Sequence, residues 1–224
     1  RFRNNTIDTA LVGVSLGPVT MGPVWVMRST ITNFTGRSIK WDKNSDGWVF
    51  IYHNTSWTAQ TNLNLMEMIS PVYNSTMRNN IFQGNGYAIE EHQTGSTGND
   101  WNYDNWNTSR GNYHFKWENV DYDTIAKLCA KTGLECNGYE DPPGLSSPGA
   151  GDFTLLSTSP NIDRGIVIPG INDQFSGNAP DVGAFESVVN STLKVLSITR
   201  TDPNPSGAAN VNFTVTFSEP VAGV

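Results

Sequence analysis

Along the first third of the chain, an apolar residue closes a short polar phrase at nearly constant intervals. RNNTI ends at Ile7, MRSTI at Ile31 and MRNNI at Ile81, while YHNTS puts Ser56 at the same step. The end positions lie 24, 25 and 25 residues apart, a period that predicts stacked coils rather than a folded-back globule. Superposed, the phrases set Asn5, Ser29, Asn54 and Asn79 in one column and Thr6, Thr30, Thr55 and Asn80 in the next. The amides of the first column can hydrogen-bond along the stack. Ile7, Ile31, Ser56 and Ile81 form a third column, expected to point inward. Eight residues further on, Ile39 and Ile89 fall in register, each behind a glycine, Gly36 and Gly86.

A coil of 24 or 25 residues holds about three strands of about five residues with turns between them. The expected fold class is therefore all-β, a parallel β-helix. A leucine-rich repeat would need a recurring Leu pattern, and a propeller blade would be longer. The stretch TNLNLMEMISPVYNST reads as an extra bulge in the third coil, turned at Pro71.

After Glu91 the repeat loosens into a run dense in turn residues and aromatics. One helix is expected near 121–132, capped by Asp121 or Asp123, with Ile125, Leu128 and Cys129 on a narrow apolar face and Gly133 as its stop. A chain that turns back at Gly133 can bring Cys129 and Cys136 within disulfide reach. The alternative is two separate buried thiols. A disulfide would place the protein outside the cytoplasm.

The phrases NNTI and YHNT, together with the closing phrases SPNIDRG (159–165) and APDVGAFE (179–186), resemble the C-terminal rungs of secreted bacterial right-handed parallel β-helix proteins of the pectate-lyase-like superfamily. The resemblance covers about residues 1–187. Residues 193–221 resemble the first two strands of a bacterial immunoglobulin-like module, whose complete sandwich needs about seven strands. The implied organisation is a β-helix over 1–187, a linker over 188–193 and an incomplete Ig-like segment over 194–224. No signal peptide is present, Arg1 opens inside a repeat unit and Val224 stops in mid-strand, so neither end reads as a natural boundary.

Composition supports strands and turns: Asn, Thr, Gly and Ser fill 87 of 224 positions. The net charge is −7 with 14 Lys and Arg and no basic block, which argues against nucleic acid and anionic membrane surfaces as partners. The least charged stretch, Leu11 to Met27, is broken by Gly13, Gly17, Pro18, Gly22 and Pro23. It reads as short strands and turns rather than a membrane span.

Glycan handling needs aromatic faces with polar groups beside them. The candidate ligand-binding residues are Trp41, Trp48, Trp57, Trp101, Tyr52 and Tyr87; the same rings could instead serve as packing. Candidates for acid–base chemistry are Lys40 and Glu90, expected about 9–10 Å apart on an outer face from strand spacing, with Arg37, His53, Glu91 and His92 on the same surface. The plain alternative is a solvated charged face. Asp100, Asn102 and Asp104 alternate oxygen ligands along one strand, a pattern able to take Ca²⁺; otherwise no cofactor is expected.

Three readings follow. The first is an extracellular or cell-surface module that binds polysaccharide or glycan. The second is a polysaccharide lyase or hydrolase whose centre lies mainly in rungs before Arg1; its acidic balance argues against a polyanion groove unless metal supplies the charge. The third is a structural filament, associating end to end or through the Ig-like segment.

Overall fold

The period resolves into three strands per coil. The first coil holds β1 (Phe2–Arg3), β2 (Thr6–Asp8) and β3 (Val12–Leu16); the second, β4 (Val24–Met27), β5 (Thr30–Thr32) and β6 (Arg37–Trp41); the third, β7 (Val49–Tyr52), β8 (Thr55–Trp57) and β9 (Asn64–Met68). The fourth contains β10 (Ser75–Arg78), β11 (Ile81–Gly84) and β12 (Ile89–Glu91), and the fifth β13 (Asp100–Asn102), β14 (Asn105–Thr108) and β15 (Phe115–Trp117). Each strand pairs in parallel with its counterpart one coil away. The result is three sheets: A (β1-β4-β7-β10-β13), B (β2-β5-β8-β11-β14) and C (β3-β6-β9-β12-β15), with β16 (Val120–Tyr122) added antiparallel to β15. This is a parallel β-solenoid of about four turns. The structure is a computed structural model, and it describes residues 1–17, 23–42, 47–187, 195–205, 207, 209–217 and 221. The expected turns at Pro18 and Gly22 and the expected linker 188–193 lie outside those residues.

The bend between sheets A and B is the same in every coil and explains the recurring phrase. A residue with positive φ turns the chain: Asn4 (56°), Arg28 (47°), His53 (52°), Asn79 (59°) and Tyr103 (63°). The residue after it projects into the stack. Ser29 Oγ accepts from the Asn5 N–H (3.2 Å), Asn54 Oδ1 from the Ser29 N–H (3.1 Å), Asn80 Oδ1 from the Asn54 N–H (2.9 Å) and Asp104 Oδ1 from the Asn80 N–H (2.7 Å). The ladder thus runs Asn5, Ser29, Asn54, Asn80, Asp104, which corrects the expected Asn79. Thr55 pairs with Ile81, a step of 26; the third coil is one residue longer than constant spacing assumes. Asn79 occupies the bend itself.

The third coil needs a second correction. Residues 61–76 are not a bulge outside the pattern, because they contain β9, the sheet C strand of that coil. Met66 stands between Ile39 and Ile89, and Met68 continues the inward column from Leu16 and Trp41. Ile31, Ile39, Ile51 and Ile89 are fully enclosed, and burial of each such side chain contributes roughly 1.5–3 kcal/mol.

Helix α1 (Ile125–Thr132) covers the C-terminal end of the coil, where Ile125, Leu128 and Leu134 join the core that contains Trp101 and Trp117. Its N-cap is Thr124, whose hydroxyl accepts from the Lys127 N–H at 3.3 Å. The expected caps are otherwise engaged: Asp121 lies in β16, and Asp123 pairs with Lys127. Gly133 ends the helix at φ 78°, a conformation only glycine adopts freely. The chain then turns back, and Cys129 and Cys136 form a disulfide.

Strands β17 (Leu145–Ser147) and β18 (Asp152–Leu155) pair antiparallel, and the segment after them packs on the outside of sheet B. Leu145, Phe153 and Val182 bury Ile81 and Tyr139 in a second apolar cluster. The chain divides into two units, Arg1–Ser187 and Val188–Val224. In the second, β19 (Val195–Arg200) and β20 (Phe213–Phe217) form an antiparallel pair. Among the described residues no helix is long and apolar enough to cross a membrane.

Candidate functional site

In each parallel sheet, side chains alternate between the coil interior and the outside, and the same register repeats in every coil. Outer side chains therefore line up in columns. On sheet A, Trp25 is in register with Phe50, and their rings stack with centroids 4.1 Å apart and planes 23° from parallel. Trp48, which leads into β7, extends the row: its ring lies 6.2 Å from Phe50 at 9°. Tyr52 closes one side, with its centroid 5.9 Å from Phe50. Trp48 is 52% exposed, and Trp25 and Phe50 are half-buried. Three nearly parallel, stacked rings thus form a row on the outside of sheet A across two coils, with Trp48 its most exposed member. Polar groups flank them: the Arg1 guanidinium lies 5.7 Å above the Trp25 ring, and Thr76 and Asp100 continue the register beyond Phe50.

The other expected aromatics go elsewhere. Trp41 and Trp101 stand in inward columns, are 0% and 1% exposed, and pack on one another inside the coil. They are core, which removes them from any outward platform. Both occupy the interior position of a strand, and a wide three-sheet coil has room for indoles there. Trp57 is half-buried on sheet B against Phe153. Tyr87 lies beside sheet C, under the guanidinium of Arg110 (3.9 Å) and the ammonium of Lys116 (4.8 Å). Of the expected set, Trp48 and Tyr52 both border Phe50 on the outside of sheet A, while Trp41 and Trp101 meet only in the core. Trp25, one of the seven indoles, is not in the candidate set, nor is Phe50, although their 25-residue separation is the coil period itself.

The outer face of sheet C carries the charged residues. Lys40, Glu67, Glu90 and Lys116 follow one another in register across β6, β9, β12 and β15. Lys40 turns to Asp42, while Arg37 forms a two-point ion pair with Glu67, its Nη2 donating to Oε1 at 2.8 Å. That bond holds the Arg37 guanidinium above its ordinary range. Glu90 accepts from Asn64 Nδ2 and from Lys116 Nζ (3.3 Å). For Lys116, burial works to lower the ammonium, but the Glu90 charge prevails and the shift is upward. Glu67 was absent from the sequence candidates because its strand was assigned to a bulge.

Two expected members of this surface are not on it. Glu91 points inward, in register with Met68, and is fully buried. Burial pushes its carboxyl up to about 7, against the opposing effect of the Ser96 hydroxyl and the Glu118 N–H. His53 sits in the A-to-B bend beneath the closing segment. Its Nδ1 lies 3.2 Å from Gly183 O, and Nε2 faces the side-chain amides of Asn79 (3.1 Å) and Asn172 (2.7 Å). Burial, with Arg28 nearby, lowers it to about 4. It is a neutral structural imidazole.

Asp100, Asn102 and Asp104 do not face one way. Asp100 is exposed and paired with Arg78, and Asn102 Oδ1 accepts from the Asn137 N–H at 2.6 Å. The positive φ of Tyr103 breaks the alternation and turns Asp104 into the buried ladder.

Sheet B is largely covered by the closing segment. A cleft of about 370 Å³ remains, with Thr6, Asp8, Thr30 and Thr32 on one side and the 148–151 turn and Phe153 on the other. No family model, curated protein or solved structure matches the chain.

Proposed function

We propose that the solenoid is an extracellular polysaccharide-binding module, and that sugar rings stack on the outer face of sheet A. The observation that carries this reading is the outward stacked row of Trp48, Phe50 and Trp25, with Trp48 half exposed. Sugars present flat faces of C–H groups that pack against aromatic rings, while hydroxyls seek polar partners at the edge. Trp48 is the exposed ring, Trp25 and Phe50 extend the row behind it, and Arg1, Thr76 and Asp100 border it. A rigid solenoid suits an extended chain, because its flat sheets hold the rings at fixed spacing without a closing loop. The disulfide in the capping element supports an oxidising location. The coil geometry and the closing phrases support a place in the pectate-lyase-like superfamily, and β19 and β20 are read as the start of an Ig-like module.

Retention on a polysaccharide array tests the reading. Trp25→Ala and Trp48→Ala should each weaken binding about tenfold, while Trp57→Ala, on a different sheet, should leave it unchanged. An identical binding profile for wild type and both platform variants would refute it.

A further inference from the structure

On sheet C, two carboxylates from adjacent coils converge on one imidazole. His92 Nε2 lies 3.6 Å from Glu67 Oε1 and 3.5 Å from Glu90 Oε2. All three donor atoms fall within 4.8 Å of one another. The separations from His92 are too long for good N–H···O hydrogen bonds, whose usual range ends near about 3.2 Å. They are close to the edge of a coordination tetrahedron: bonds of about 2.0–2.2 Å from a central ion set neighbouring donors about 3.4 Å apart.

Each carboxylate is also held by neighbouring side chains, which share the oxygen that approaches His92. Arg37 grips Glu67, while Asn64 and Lys116 hold the two oxygens of Glu90. Such outer partners fix a ligand's orientation and are a regular part of metal centres. The side chains of Glu67 and Glu90 are 7% and 11% exposed, against 37% for His92. Two donors are therefore walled by the sheet and the third faces water, which leaves one side open for a solvent ligand. An imidazole donor favours zinc-like ions over Ca²⁺ or Mg²⁺, which prefer all-oxygen sets. Arg37 and Lys116 offset the two carboxylate charges, so no large negative field draws cations indiscriminately.

We propose that Glu67, Glu90 and His92 bind a single divalent transition-metal ion of the zinc class, with a fourth position open to water. This site is separate from the aromatic face of sheet A and does not depend on it.

The full chain, stripped with a chelator, is titrated with Zn²⁺ by calorimetry and with Co²⁺ by visible absorption. The expected result is one ion per chain, with the intense Co²⁺ bands of tetrahedral coordination. His92→Asn and Glu90→Gln should each weaken binding tenfold or more, and His114→Asn, at the other His–Glu pair with Glu140, should not. His92 is partly exposed, so His92→Asn should melt like the wild type without metal and report on the site rather than on folding. Absence of one-to-one binding, or undiminished binding by His92→Asn, would overturn the assignment.

Discussion

Asp104 and Glu135 meet, both wholly enclosed, where the amide ladder ends: the Asp104 N–H points to Glu135 Oε2 at 3.4 Å. Glu135 takes the place that the next coil's ladder residue would fill, and its own N–H donates to Trp101 O at 2.7 Å. Burial raises both carboxyls, Asp104 to about 6 and Glu135 further, because the Asp104 charge adds to its desolvation. Two carboxyls this close and this buried resist ionising together, so the pair shares a proton to higher pH than free carboxyls would.

A folded-state pKa above the unfolded value means stability that is complete below about 4 and is lost as pH rises through the folded values. Glu135→Gln keeps a donor toward Asp104 and removes the second ionisation. At pH 8 the variant should be more stable than wild type, and at pH 4 the difference should vanish. Urea melts across that range check this; a pH-independent difference would contradict the shared proton.

The ladder itself makes a sharper contrast between two asparagines. Asn54 accepts from the Ser29 N–H and donates to Val26 O at 3.0 Å, entirely out of water. Asn54→Ala should cost about 2–4 kcal/mol, from orphaned buried backbone groups and the space left behind. Asn5 belongs to the same column, but its amide reaches only Arg3 O in a partly exposed setting. Asn5→Ala should stay within about 0.5 kcal/mol. Equal losses in denaturant melts would show that the column has no buried, cooperative middle.

How far this was legible in the sequence follows from what a period can encode. Spacing gave the coil, the inward Ile31, Ile39 and Ile89 and the existence of a ladder, because those positions are fixed by stacking; it put Ile81 inward, whereas Phe82 follows Ser56 in the inward column and Ile81 faces out beneath the closing segment. It misplaced the fourth ladder residue, since one added residue in the third coil makes Asn79 and Asn80 exchange roles, and two adjacent asparagines hide the shift. It also sent Glu67 to a bulge, because Met66 and Met68 fill the core positions where Ile39 and Ile89 set the expectation. Trp41 and Trp101 looked like ligand residues because residue type says nothing about which way a strand side chain points. Trp25 and Phe50, one period apart, were legible and needed only the register rule applied to aromatics.

His53 supplies the opposite pH dependence to the carboxyl pair. Asn79 and Asn172 cannot turn their oxygens toward Nε2, because Asn79 Oδ1 already accepts from the Ile166 N–H (2.9 Å) and Asn172 Oδ1 from the Ile168 N–H (2.6 Å). Both therefore donate to Nε2, and the ring proton sits on Nδ1, directed at Gly183 O. A lowered histidine pKa means stability that is complete above about 6.5 and lost as pH falls through about 4. NMR titration should find this imidazole neutral down to about pH 4, with loosening of the closing segment below it. Titration near the ordinary histidine value would mean that the cover is open in solution.

Two glycines of the closing segment separate backbone strain from collision. Gly170 has φ 76°, and a Cβ there would meet open space, so Gly170→Ala should cost only the left-handed backbone, about 1–2 kcal/mol. Gly183 has φ 109°, and a Cβ would come within 2.7 Å of Ile81 Cδ1 and 2.9 Å of Thr55 Oγ1. The backbone around it also carries the His53 contact and the bond from the Ala184 N–H to Thr55 Oγ1. Gly183→Ala should therefore add roughly 1–3 kcal/mol of overpacking to the strain. The chain can relieve this by lifting residues 182–184 from the bend, which would rehydrate His53. The variant should accordingly show faster proteolysis of the closing segment together with a His53 titration moved up toward the ordinary value, whereas Gly170→Ala should leave that titration near 4. Loss of stability in Gly183→Ala without any change at His53 would mean that the segment and the imidazole are not coupled.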